Sequence, residues 1–347
     1  MGYISKERTM KRNTLELLVS LGIKCAEAQA EQFSSLSGYW FDQLSRARAW
    51  QQIETQGFAK IPCGLSKLFI PGIFQDFKGL LEDSFQAPLW EIKDPLYFSD
   101  GEIDIGLIHR NGEVKKLLRS DEIAEGRTNH DTRKSFLHYH PHLVELLRTN
   151  GANMNGYANF LTNLSGLHSA GVSIGQAVAE LFDREHGLAE SDGTFLARMR
   201  DRDAFHKTRI LRYPFNGSGK TTMAEGHTDQ CALTVIWGKA THPGLFSVDK
   251  SHKLSREIQE TSDEFIFVMP GYTFWALTYG KIPGLFHGVW EIDKRPLGEA
   301  RMSAVTFLQA RRSAHHQKYL DLNVKDHKAG NKKNLQEIWR AHYGITN

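Results

Sequence analysis

The sequence predicts a β-rich core, a sandwich or barrel, with a helical N-terminal half wrapped on it. Two observations carry this. From about residue 205 the chain becomes a run of short segments, "HKTRILRYPF", "CALTVIWG", "GLFSVD", "EFIFVMPG", "YTFWALTYG", "FHGVWEID" and "RMSAVTFLQA". They are rich in β-branched and aromatic residues and parted by Gly, Pro and Asp, which is strand-and-turn texture. Before residue 205, apolar residues recur mainly at helical spacing.

Taken in order, residues 11–56 place Leu15, Leu18 and Leu21, then Phe33, Leu36, Trp40 and Leu44, at intervals that predict two or three helices. "GFAKIPCG" (57–64) reads as a short strand, and "FIPGIFQDFKGLLEDSF" (69–85) as a helix after a Pro-Gly turn. Residues 86–150 are mixed and polar, with "HYHPH" among them. Over 153–187 a helix is expected, with Ile174, Val178, Leu181 and Phe182 on one face and an end near Gly187. The chain thus divides into a mixed region 1–204 that shapes the substrate side, a β core 205–310, and a basic tail 311–347 with a closing helix, "NLQEIWRAHY".

Composition excludes several classes. A net charge of +3 over 347 residues gives no overall electrostatic case for nucleic acid. Three cysteines, Cys25, Cys63 and Cys231, lie far apart and form no CxxC, so neither a disulfide framework nor a thiolate zinc site is expected. The N-terminus lacks the apolar stretch of a secretory signal, and no apolar run approaches a membrane span. A cytoplasmic protein with a small-molecule partner, and with neither nucleic acid nor membrane, is the expectation.

Chemistry concentrates in "EGHTDQCALTVIWG" (225–238). Alternate residues of a strand share a side, so His227 and Asp229 can offer a nitrogen and a carboxylate oxygen to one ion. "KIPGLFHGVWEID" supplies His287 at the start of another strand. Two His and one carboxylate on one face of a metal suit a non-heme iron(II) centre with open positions. In "EARMSAVTFL", Arg301 and Ser303 again share a side, and a guanidinium fork beside a hydroxyl fits a carboxylate. That makes a socket for a small dicarboxylate next to the metal.

With these residues in place, "RYP…GHTDQCALTVIWG…GLFSV…FIFVMPGYTFWALTYGKIPGLFHGV…RMSAVTFL" resembles the iron(II)- and 2-oxoglutarate-dependent dioxygenases, specifically the isopenicillin N synthase-like branch. The resemblance covers roughly residues 205–310. It implies a double-stranded β-helix, or jelly roll, wrapped by helices. It also implies His227, Asp229 and His287 as iron ligands, Arg301 and Ser303 as the pair holding the far carboxylate of 2-oxoglutarate, and Tyr213 as a hydrogen-bonding partner of that cosubstrate. Fe(II), 2-oxoglutarate and dioxygen would be required, with ascorbate as an accessory reductant. The implied reaction is hydroxylation, desaturation or cyclisation of a polar small molecule, with 2-oxoglutarate converted to succinate. Two alternatives stay open: an iron oxidase of the same fold that takes no 2-oxoglutarate, and a non-catalytic metal-binding module. The sequence departs from the family at Leu211, where an Asn is common, at Tyr272, where an Asp is common, and at Gly288, where an Arg is common.

The remaining histidines and aromatics have milder readings. His138, His140 and His142 of "HYHPH" are interrupted by Pro141 and are expected in a loop near the cleft. His315 and His316 are adjacent and are expected to be solvated. Trp237, Phe274, Trp275, Tyr279, Phe286 and Trp290 are expected mostly in the core, with one or two lining the substrate side of the iron.

Overall fold

The structure is a computed structural model. It describes residues 37–318 apart from 64, 94–95, 99–100, 117–128, 187–192, 202–203, 239, 249–254 and 259–264. The pattern at Leu15–Leu21, Phe33, Leu36, Cys25 and Gly187, and the closing helix expected in 334–343, lie outside the described residues.

Helices α1 (Ser37–Arg46) and α2 (Ala49–Gln56) lead into strand β1 (Ala59–Pro62) and helix α3 (Leu65–Glu82). Helix α3 starts before the Pro-Gly pair and carries Pro71 inside it, which corrects the expected turn. Ile70, Ile73, Phe74, Phe77 and Leu80 bury one helical face, and that packing outweighs a proline cost of about 3 kcal/mol. The polar region 86–150 then yields strands β2 (Leu96–Phe98), β3 (Gly101–Ile103), β4 (Gly106–Arg110), β5 (Val114–Lys116), β6 (Asn129–Asp131) and β7 (Lys134–Tyr139). A short α4 (Leu143–Thr149) and the long α5 (Ala158–Glu185) follow, then α6 (Phe195–Met199).

The expected strand segments give β8 (Lys207–Pro214), β10 (Leu233–Trp237), β11 (Leu245–Val248), β13 (Phe265–Pro270), β14 (His287–Glu291) and β15 (Ala300–Leu308), and two strands outside those segments, β9 (Thr221–His227) and β12 (Ser255–Glu257), join them. One segment differs. "YTFWALTYG" forms helix α7 (Tyr272–Leu277), not a strand. Phe274 stacks there on Trp50 at 5.1 Å and meets Phe195 at 4.8 Å, so contact with the helical layer overrides the β propensity of Tyr, Phe and Trp.

The strands form a seven-stranded sheet, β1-β13-β10-β15-β8-β7-β4, and a six-stranded sheet, β12-β11-β14-β9-β6-β5. From β8 onward the chain passes mostly back and forth between the two, the winding of the jelly roll that the sequence implied. Strands from before residue 205 extend both sheets.

Helix α5 lies on the outer face of the seven-stranded sheet. Added Cβ atoms at Gly171 and Gly175 would fall 2.6 Å from Thr306 and 2.1 Å from Leu308, so the approach to β15 depends on those glycines. The outward Met302, Ala304 and Leu308 join the helical core, which includes Ile174, Val178, Leu181 and Phe182. The inward Val305 joins Leu211, Ile236, Met269, Leu245 and Val289 in a second core between the sheets. Both faces of β15 are covered, so its sequence shows no simple polar alternation. Among the described residues no helix is long and apolar enough to cross a membrane.

Candidate metal centre and anion socket

The chemistry-bearing side chains converge on a cavity between the two sheets. His227 closes β9 and His287 opens β14, and the two are direct cross-strand partners. Beyond them the β9–β14 ladder shifts register twice, between His287 and Val289 and again between Val289 and Trp290. Such irregularities re-aim side chains at sheet rims. Gly288 sits in this stretch, where a Cβ would come within 3.1 Å of the Ala224 carbonyl.

Asp229 is not on the strand with His227, as the alternation argument expected. It lies in the loop between β9 and β10, and backbone contacts bring it back to the same side. Its carbonyl accepts from the Tyr272 N–H at 2.7 Å, and its Oδ2 accepts from the Thr234 hydroxyl at 2.6 Å. Gly271 permits this closeness, since a Cβ there would fall 2.6 Å from the Asp229 carbonyl. The departure at Tyr272 is thus accommodated: its part here is a backbone N–H.

The donor atoms of His227, Asp229 and His287 all lie within 4.8 Å of one another. His227 Nε2 is 3.6 Å from Asp229 Oδ1, and His287 Nε2 is 3.8 Å from Asp229 Oδ2. Each imidazole is oriented through its other nitrogen: His227 Nδ1 lies 2.8 Å from the Glu225 carbonyl, and His287 Nδ1 lies 3.1 Å from the Leu285 carbonyl. A carbonyl can only accept, so both rings carry the proton on Nδ1 and turn an Nε2 lone pair toward Asp229.

Burial opposes charge on Asp229, but the two imidazoles and Thr234 outweigh it and hold its carboxyl well below the usual range. Burial pushes His287 down, keeping it neutral. His227 shifts upward because the adjacent carboxylate outweighs desolvation. Asp229 thus favours a positive charge beside it, and two imidazole nitrogens with one carboxylate fit a divalent transition metal that would take the place of the His227 proton, whereas a structural zinc site wants four protein ligands.

Deeper in the cavity, β15 sends Arg301, Ser303, Val305 and Phe307 inward. Arg301 is 1% exposed, and its Nη1 donates to Ser303 Oγ at 3.2 Å. Tyr213 faces Arg301 directly across the β8–β15 ladder, and burial, the largest influence on it, raises its pKa, so the phenol stays a neutral donor. All six residues singled out from the sequence therefore line one cavity.

Other expectations do not hold. His138 is on strand β7 and points into the space between the sheets; it does not sit in a loop, because Pro141 ends the strand only after Tyr139. His140 and His142 do lie in the turn after that strand, as expected, and stack on each other with ring centres 4.9 Å apart. His316 is buried and only His315 is exposed, since the turn at Ser313 folds His316 back against Tyr279. Of the six aromatics, one or two of which were expected to line the substrate side, none lines the cavity; Phe307 does. Trp237 points the other way, and its indole donates to Thr306. Sequence reasoning missed Thr234, Phe307 and Arg209. The parity of "KTRILRY", which puts Lys207, Arg209, Leu211 and Tyr213 on one face of β8, was the available signal.

Solved structures share this architecture. A candidate oxygenase from Shewanella oneidensis superposes with a TM-score of 0.57 at 14% identity, over 81% of this chain and 94% of that one. The Arabidopsis thaliana dioxygenase for auxin oxidation 1, in binary complex with 2-oxoglutarate, gives 0.55 at 14% identity over 78% and 90%. JOX2, in complex with 2OG, Fe and JA, gives 0.53 at 11% identity over 78% and 72%. The chain has the fold of these oxygenases. No protein-family model matches it, and no curated protein matches it.

Proposed function

We propose that this protein is an iron(II)- and 2-oxoglutarate-dependent oxygenase acting on a polar small molecule. The observation that carries the reading is a juxtaposition. A three-donor metal site with an open side shares one cavity with a buried guanidinium flanked by two hydroxyls. Neither half alone would specify the chemistry. Together they fit a metal and a dicarboxylate that bridges metal and arginine. The shared fold with structures holding 2-oxoglutarate and iron supports it.

In this reading His227, Asp229 and His287 hold the ion, and the Nδ1 hydrogen bonds to backbone carbonyls keep both imidazoles in the ligating tautomer. Arg301, Ser303 and Tyr213 bind the far carboxylate of 2-oxoglutarate. Iron, 2-oxoglutarate and dioxygen supply oxidative decarboxylation to succinate and carbon dioxide, coupled to oxidation of a substrate C–H bond. Leu211, Ile236, Leu245 and Met269 exclude water around the reacting atoms. The carboxylate of Asp229 occupies the position that a halide would need, which favours oxygenation over halogenation.

The test is slow turnover of 2-oxoglutarate to succinate in air, with iron(II) and ascorbate and no added substrate. It should be lost in His227→Ala. Succinate formation that is absent in the wild type, or unchanged in the variant, contradicts the proposal.

A further inference from the structure

Between the sheets the cavity holds a second arginine for which the proposed chemistry has no use. Arg209 lies on β8 on the same face as Tyr213, and it lines the cavity together with His227, Asp229 and Phe307. Its guanidinium carbon sits 5.0 Å from the centre of the Phe136 ring and 4.7 Å from that of Phe307. The two rings hold the plane. Its Nε donates to His138 Nε2, and His138 Nδ1 in turn lies 2.9 Å from the Asp104 carbonyl. That relay requires a neutral His138 with its proton on Nδ1, and it uses one N–H of the guanidinium. No carboxylate among the described residues forms an ion pair with Arg209.

The surroundings add positive charge. Lys207 is on the same face two residues earlier, and Arg110 and Lys134 are cross-strand partners on β4 and β7. Arg110 lies over the same Phe136 ring at 5.7 Å. Against these stand Asp229, which belongs to the metal site, Glu225, which pairs with His130 at 3.2 Å, and the exposed Asp104. Arg209 is half-buried, and a guanidinium partly withdrawn from water with no carboxylate paired to it is stabilised by an anionic ligand. Arg301 serves the opposite end of the cavity. The β15 partner of Arg209 is Val305, four residues from Arg301, which sets the two backbone positions roughly 13 Å apart at 3.3 Å per residue.

We propose that Arg209, braced by His138 and held between Phe136 and Phe307, anchors the carboxylate of an organic-acid substrate at the open side of the metal triad. The inference rests on the oxygenase reading and narrows its substrate class to small organic acids.

The experiment loads the protein anaerobically with Mn(II) and 2-oxoglutarate. It then measures, by ultrafiltration and mass spectrometry, retention from a mixture of small aromatic and aliphatic carboxylic acids and their primary amides. The wild type should retain acids over their amides. Arg209→Met should lower acid retention about tenfold, the size expected for one charge-assisted contact, while its 2-oxoglutarate affinity stays within about twofold of the wild type. Should Arg209→Met fail to fold, Arg110→Gln on the exposed rim is read in the same assay, with an expected loss of about threefold. Retention of amides as readily as acids, retention of no acid, or undiminished retention in the folded variant overturns the proposal. A parallel tenfold loss of 2-oxoglutarate affinity also overturns it, by assigning Arg209 to the cosubstrate. If the wild type binds no 2-oxoglutarate with Mn(II), it is the oxygenase reading that fails, and the two failures are distinct.

Discussion

The two sheets that enclose the cavity contribute by opposite means. On the six-stranded sheet, His227 and His287 stand at strand ends beside a ladder that slips register twice, and His227 keeps a side-chain exposure of 48%. On the seven-stranded sheet, Arg301, Ser303 and Tyr213 stand in an unbroken β8–β15 ladder, with α5 packed behind it. The candidate triad needs donors aimed at one point from two strands and a loop, which a regular pleat does not supply. An anion socket needs fixed spacing along one face, which a regular pleat supplies directly. The irregular sheet therefore stands nearest solvent, and the regular one forms the floor.

The sharpest way to break this contrast is at Asp229. Asp229→Ala should reduce Mn(II) or Fe(II) affinity by more than about 100-fold, beyond the range for supporting residues. Titration calorimetry reads it, and near-native affinity would show that the triad is not the site.

Arg301→Gln acts on the other sheet. It should weaken 2-oxoglutarate about tenfold to 100-fold, the equivalent of roughly 1.5–3 kcal/mol for charge-assisted bonds, and leave metal affinity unchanged. Equal loss of metal would mean that the two halves are not separable.

Thr234→Val tests how far the irregular half depends on support from its neighbour, because Thr234 sits on β10 of the seven-stranded sheet and its hydroxyl holds Asp229 Oδ2. About tenfold weaker metal binding is expected, the lower end of the range for such supporting contacts. Unaltered affinity would show that the backbone contact to Tyr272 suffices.

A smaller effect at each site comes from the layer behind the seven-stranded sheet. There burial pushes His168 down to about 3, and His206 and His140 to about 4, from 6.5. Below pH 6.5 the unfolded chain takes up protons that the folded protein refuses. Stability is therefore full above that pH and declines as the pH falls toward 4. Thermal melts from pH 7.5 to 4.5 should show the fall, with a shallower slope in His168→Gln. Parallel slopes in the two proteins would remove His168 from the account.

Much of this site was legible in the sequence because it obeys local rules. Arg301 and Ser303 share a face by strand parity, and His287 starts a strand, as expected. What was illegible depends on distant packing. Residues 272–277 carry strand-forming side chains but turn helical against Trp50, Phe182 and Phe195. His138 becomes the brace for Arg209 only because β7 pairs with β8, which joins partners 71 positions apart in the chain. Asp229 reached its place through Gly271, Tyr272 and Thr234, not through the strand parity that first drew attention to it.

The proposed function requires the two sheets together to hold one metal and one 2-oxoglutarate in contact. Adding Fe(II) and then 2-oxoglutarate to the protein without oxygen tests it most directly, because the keto acid gives a metal-to-ligand charge-transfer band in the visible only when it chelates the iron. The band should appear in the wild type, be absent in Asp229→Ala, and in Arg301→Gln develop only at higher 2-oxoglutarate concentration. No band in the wild type at saturating iron and 2-oxoglutarate would contradict it.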